Sequence, residues 1–167
     1  MRGAIFYQSK YGSTKQYARW IAEATGLPMF NVKDRNYDPD LYDYFIIGSP
    51  ILYFKLSIRK WIKKYLPQIN TKPVIFFSVS GAPAGEKLNE WIANSLPESF
   101  ISKMHHVALK GRQIRSKLSW FDRMMLFIGS KFNKDPEASK EELEGFDYMD
   151  KKSINPILEL VEQFKAA

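Results

Sequence analysis

The chain has 167 residues, 45% of them hydrophobic and 15% aromatic, which predicts one globular domain with a sizeable core and excludes a disordered class. It contains no cysteine, which excludes disulfides, thiolate metal sites and cysteine nucleophiles. The net charge of +7 is uneven: residues 103–134 hold eight Lys or Arg against one acidic residue, and residues 135–167 hold four against nine.

The apolar run Ala4-Ile5-Phe6 predicts a first strand, and Tyr17, Ala18, Ile21 and Ala22 at helical spacing predict a helix that Gly26 ends. Between them lies Tyr7-Gln8-Ser9-Lys10-Tyr11-Gly12-Ser13-Thr14, a turn with two readings. The unpaired N–H groups and positive dipole of a helix start, together with the hydroxyls of Ser9, Ser13 and Thr14, suit a phosphate seat in which Gly12 allows a tight bend. Alternatively, the hydroxyls are ordinary N-caps. Further along, 28–32 is a short second strand and Tyr44-Phe45-Ile46-Ile47-Gly48 a third, apolar on both faces as in a parallel sheet. Residues 57–66 read as a helix with Ile58, Trp61, Ile62 and Tyr65 on one face, stopped before Pro67. Residues 73–79 are a fourth buried strand, 86–96 a helix, 104–109 a fifth strand and 154–164 a closing helix.

Five alternations of strand and helix predict an α/β, doubly wound sheet of five parallel strands in the order 2-1-3-4-5. Ligands in such a sheet sit beyond the carboxyl ends of the strands, which here means three turns: Ser9 to Thr14, Ser49 to Tyr53, and Ser78 to Pro83.

Ser9-x-x-Gly12-x-Thr14 resembles the phosphate loop of flavodoxins, and Gly48-Ser49-Pro50-Ile51-Leu52-Tyr53 resembles the loop that flanks their isoalloxazine. The likeness covers the whole chain except an insertion at about 112–150. Within that superfamily the sequence is similar to the FMN-dependent, quinone-linked protoporphyrinogen IX dehydrogenases, through the same 48–53 motif and through Trp120-Phe121-Asp122-Arg123-Met124-Met125. The resemblance implies FMN as cofactor. Ser9, Lys10, Tyr11, Gly12, Ser13 and Thr14 would hold its phosphate; Ser49, Pro50, Ile51, Leu52 and Tyr53 would flank the ring, with Tyr53 stacked on it. Ser78, Val79, Ser80 and Gly81 would edge the pyrimidine side.

The insertion can also be read from its residues. Leu118, Phe121, Met125, Ile128 and Phe132 form one helical stripe, widened by Trp120, Met124 and Phe127 and preceded by Arg112, Arg115 and Lys117. Such a helix would lie on an anionic membrane surface or cover an apolar ligand. It would equally serve as an extra helix packed on its own core or as a homodimer contact. No nucleic-acid role is expected. No signal peptide or membrane span is evident, so the expected location is cytoplasmic, with peripheral membrane contact through residues 112–134 as a variant.

No catalytic acid or base stands out. Asp122 and Arg123 read as an ion pair within one helix turn, and His105 and His106 point to opposite faces of a strand. Dinucleotide-binding, Walker, zinc and nucleophile-elbow patterns are all missing. Three functions remain: an FMN oxidoreductase linking an apolar anionic substrate to a quinone, an electron-carrying flavodoxin, and a cofactor-free binding module.

Overall fold

The computed structural model describes residues 1–167. β1 (Gly3–Tyr7) is buried at every position and turns into α1 (Ser13–Thr25), whose end Gly26 caps at φ 71°. β2 (Met29–Asn31) is short. β3 (Tyr44–Leu52) continues four residues past the predicted strand end and folds back as β4 (Lys55–Leu56). Where one helix is predicted there are two, α2 (Arg59–Lys64) and α3 (Leu66–Ile69). Pro67 explains the break: in a continuous helix its ring would clash with the carbonyl of Lys63, whereas in the first turn of α3 its missing N–H costs nothing. β5 (Val74–Ser80), α4 (Glu86–Ser95), α5 (Glu98–Ile101) and β6 (Met104–Lys110) complete the sheet.

The insertion then leaves through β7 (Arg112–Gln113), carries α6 (Trp120–Phe132) and α7 (Pro136–Glu144), and returns through β8 (Phe146–Asp147), which pairs antiparallel with β7. α8 (Asn155–Ala166) closes the fold.

The parallel strands run in the order β2-β1-β3-β5-β6, the expected 2-1-3-4-5 once the hairpin strand β4 is set aside. Alternate side chains of each strand go to opposite faces. Ala4, Phe6, Phe45, Ile47 and Phe76 meet α2, α3 and α4; Ile5, Tyr44, Ile46, Ile75 and Phe77 meet α1 and α8. Burial on both faces is why these strands are continuous apolar runs. Gly48 keeps the sheet closed for a packing reason, because a Cβ there would lie 2.1 Å from Cζ of Phe77.

Of the placements open to α6, the structure does not show its apolar stripe docked on the core. A helix docked on the core would bury the stripe through Phe121, Ile128 and Phe132. Instead the buried residues of α6 are Asp122 and Ser130, while Trp120, Phe121, Met124, Phe127, Ile128 and Phe132 are each between 36% and 82% exposed. Its fully buried residues are polar, Met125 and Leu126 are half-buried beside them, and the rest of its apolar side faces outward. No helix is long and apolar enough to cross a membrane.

Candidate functional site

The turns after β1, β3 and β5 share the carboxyl edge of the sheet, and the N–H of Gln8 donates to Gly48 O at 3.1 Å to tie the first to the second. In the first turn, Gly12 (φ 96°) occupies the position just before α1, and the helix start has no side-chain cap. The N-cap reading of this turn therefore fails. Ser9 Oγ accepts the N–H of Gly12 at 3.1 Å, and Ser13 Oγ accepts the N–H of Arg112 at 3.3 Å. Thr14 is 1% exposed, and its Oγ1 is buried with no hydrogen-bond partner. A buried hydroxyl left in this state costs about 1–3 kcal/mol. A Cβ built on Gly12 would meet nothing within 4 Å, so the turn faces open space and the glycine is required for its backbone conformation. The helix start has no side-chain cap and open space at Gly12, and the orphaned Thr14 hydroxyl lies buried in its first turn; together these suit a phosphate dianion.

The second element is a hairpin rather than a loop. Ser49 is fully buried; its Oγ accepts the N–H of Ile58 at 3.2 Å, and Pro50, Ile51 and Leu52 are strand residues, with Leu52 paired to Lys55. Tyr53 and Phe54 form the tip, both with positive φ (51° and 62°). A two-residue hairpin with positive φ at both positions ordinarily uses Asn and Gly. Two aromatics there are strained, and such strain collects at functional sites. Both rings are exposed at 45% and 67%, Tyr53 lying edge-on to Phe121 with centroids 6.3 Å apart.

In the third segment, Ser78 and Val79 lie inside β5 with buried side chains. The hydroxyl of Ser78 is hydrogen-bonded to Nε2 of His106 at 2.8 Å, and Val79 belongs to the core. Ser80 is the last strand residue and Gly81 follows it, beneath the ring of Phe146 from β8. Burial holds the His106 imidazole below its ordinary pKa. His105 is on the opposite face against Phe164, and no group of His, Asp and Glu is arranged to hold a metal ion.

Sequence reasoning missed the role of Asp122. Its carboxylate does not pair with Arg123, whose guanidinium donates to Ser116 O. Oδ2 accepts from the Tyr11 hydroxyl and lies 2.5 Å from the Lys10 ammonium, while Oδ1 accepts from the Tyr53 hydroxyl. Lys10 and Tyr11 of the first turn and Tyr53 of the hairpin are thereby brought together by a residue of the insertion. Burial pushes the Asp122 carboxyl up, but hydrogen bonds from Lys10, Tyr11, Tyr53 and Ser119 outweigh it and hold the group well below the usual carboxylate range. Its bond to Asp122 raises the Lys10 ammonium, and burial together with its own bond to Asp122 raises the Tyr53 phenol. The available signal was Ser119-x-x-Asp122, which reads as a capping box. Ser119 Oγ does accept the N–H of Asp122 at 3.1 Å, but the carboxylate is diverted to the two turns, and the Ser119 N–H goes to the Tyr11 oxygen at 3.2 Å.

Sheet order and edge define a doubly wound α/β protein in which the Ser9 to Thr14 turn lies at the switch point between β1 and β3. The sequence profile of the flavodoxin domain matches residues 4–140, and the chain belongs to that family. No curated protein matches the sequence. Similar solved structures include a flavoprotein in complex with FMN from Lactobacillus acidophilus NCFM, at 15% identity over 65% of this chain and 91% of that chain with a TM-score of 0.47. The Trp repressor binding protein from Bacillus subtilis is 16% identical over 66% and 83% of the two chains, with a TM-score of 0.46. The flavodoxin bound to flavin mononucleotide from Fusobacterium nucleatum is 16% identical over 71% and 74%, with a TM-score of 0.44.

Proposed function

We propose that this protein binds FMN at the carboxyl edge of its sheet and acts as a quinone-linked oxidoreductase on an apolar anionic substrate of the protoporphyrinogen type. The carrying observation is the partnerless Thr14 hydroxyl at an uncapped helix start, which a phosphate oxygen would satisfy. Backbone N–H groups and hydroxyls of the Ser9 to Thr14 turn bind the phosphate, Lys10 supplies positive charge, and the Tyr53 ring orients the isoalloxazine. Ser80 and Gly81 edge the site from β5. FMN itself supplies the redox chemistry when bound.

Two features support an enzyme over a carrier. The insertion adds a strongly basic segment, with cations that would meet substrate carboxylates, and α6 presents six large apolar side chains to the outside. That face, flanked by Arg115, Lys117, Arg123, Lys131 and Lys134, suits peripheral contact with an anionic membrane, where a quinone resides. Membership of the flavodoxin domain family favours the second reading, an electron carrier.

The test begins with the absorption spectrum of protein incubated with FMN and freed of unbound flavin. A retained, perturbed flavin spectrum is expected, and its complete loss would remove the proposal. On photoreduction, two-electron bleaching supports the enzyme, and build-up of a one-electron-reduced form supports the carrier. Cosedimentation with anionic but not neutral vesicles is expected; a concentration-dependent dimer with no vesicle binding would assign the α6 face to a second copy.

A further inference from the structure

Asp122 lies in the first turn of α6 and is 5% exposed. Its partners come from parts of the chain far apart in sequence: Lys10 and Tyr11 follow β1, and Tyr53 tips the hairpin after β3. A buried carboxylate is costly unless its lone pairs are filled, and here three donors fill them, the Lys10 ammonium and the hydroxyls of Tyr11 and Tyr53. A helix that needed only to pack would bury Phe121 and Phe127 and leave this acid in water. α6 does the reverse.

We infer that Asp122 is a positioning residue that latches α6 across the turn after β1 and the hairpin after β3, fixing Tyr11 and Tyr53 relative to the phosphate seat and limiting how fast flavin passes in and out. The inference rests on the FMN reading only for its last clause. The geometry explains why the latch can open. α6 is attached here by a few polar bonds, and the insertion is closed at its base by the two-residue pairing of β7 with β8, a ribbon separate from the main sheet, so release of Asp122 frees the helix start without disrupting the core. Lys10 serves both sides: it stands in the phosphate turn and is engaged by Asp122, so the closed latch withdraws its charge from an arriving phosphate.

The experiment compares wild type with Asp122→Asn and with the double variant Tyr11→Phe/Tyr53→Phe, which removes two latch bonds without altering charge. Amide hydrogen exchange over residues 119–126 is followed in flavin-free protein, and FMN association by stopped-flow fluorescence. Both variants are expected to speed exchange in this segment and to raise the association rate constant about tenfold, as expected for lost hydrogen bonds to a charged group. A residue that merely stabilised the fold would leave association unchanged or slower. A faster association in Asp122→Asn alone would trace the effect to charge and overturn the latch, as would wild-type exchange rates in both variants. If wild type takes up no FMN, the cofactor reading fails and exchange alone decides whether Asp122 holds α6. Should Asp122→Asn not fold, the tyrosine variant carries the same test.

Discussion

Replacing Thr14 by Val exchanges one hydroxyl for a methyl group of similar size and separates the stability of the flavin-free fold from the affinity of the site. In the flavin-free protein Thr14 Oγ1 is buried and unpartnered, so the folded state bears its desolvation without a compensating bond. Removing it should stabilise the protein by about 1 kcal/mol, which in a chain of this size raises Tm by roughly 2–4 °C. With FMN the sign reverses. The valine lacks a charge-assisted hydrogen bond to the phosphate, a loss of about 1.5–3 kcal/mol that weakens binding roughly 10- to 100-fold. Thr14→Ser, which keeps the hydroxyl, should stay near wild type in affinity. Urea denaturation of flavin-free protein and fluorescence titration with FMN measure both quantities on the same samples. Destabilisation of the flavin-free valine variant would mean that the hydroxyl has a partner, and unchanged affinity would mean that no phosphate sits there. Either result refutes the reasoning.

Three further predictions test other parts of the structure. The folded Asp122 carboxyl sits below its ordinary value of 3.8, so the unfolded chain takes up the proton first as the medium is acidified. Its contribution is therefore complete above that value and lost below it: urea midpoints of wild type and Asp122→Asn should differ at neutral pH and converge as pH falls below 3.8. At Phe54 (φ 62°) the usual order of residues should invert, with Phe54→Gly more stable than Phe54→Ala by about 1 kcal/mol, since both lose the ring and only the alanine keeps the backbone strain. Equal stabilities would show that the hairpin tip is unstrained. Gly48→Ala should cost about 3 kcal/mol in denaturant unfolding, because its Cβ would lie 2.1 Å from the Phe77 ring; a cost under 1 kcal/mol would show that the ring moves aside freely.

The sheet was legible because its signal is local and repeated. Ala4-Ile5-Phe6, Tyr44 to Ile47 and Val74 to Phe77 are apolar at every position, and only burial on both faces tolerates such runs, so alternation with helices left few orders to consider. The turn from Ser9 to Thr14 was legible for a similar reason, since a strand, a glycine and a helix start determine their own backbone. Its hydroxyls were ambiguous, because a cap and an orphan have the same sequence and differ only in whether a nearby N–H is within reach. The 49–53 segment was misread as a loop because the positive φ values of Tyr53 and Phe54 run against their own preferences and come from the return of β4 beside β3. Periodicity located α6 and its apolar stripe, yet it carries no sign: a helical wheel cannot say which face meets the protein. That choice was made by Asp122, whose partners Lys10, Tyr11 and Tyr53 lie 69 or more residues away, so that pairing one buried carboxylate fixed the helix with its apolar face outward.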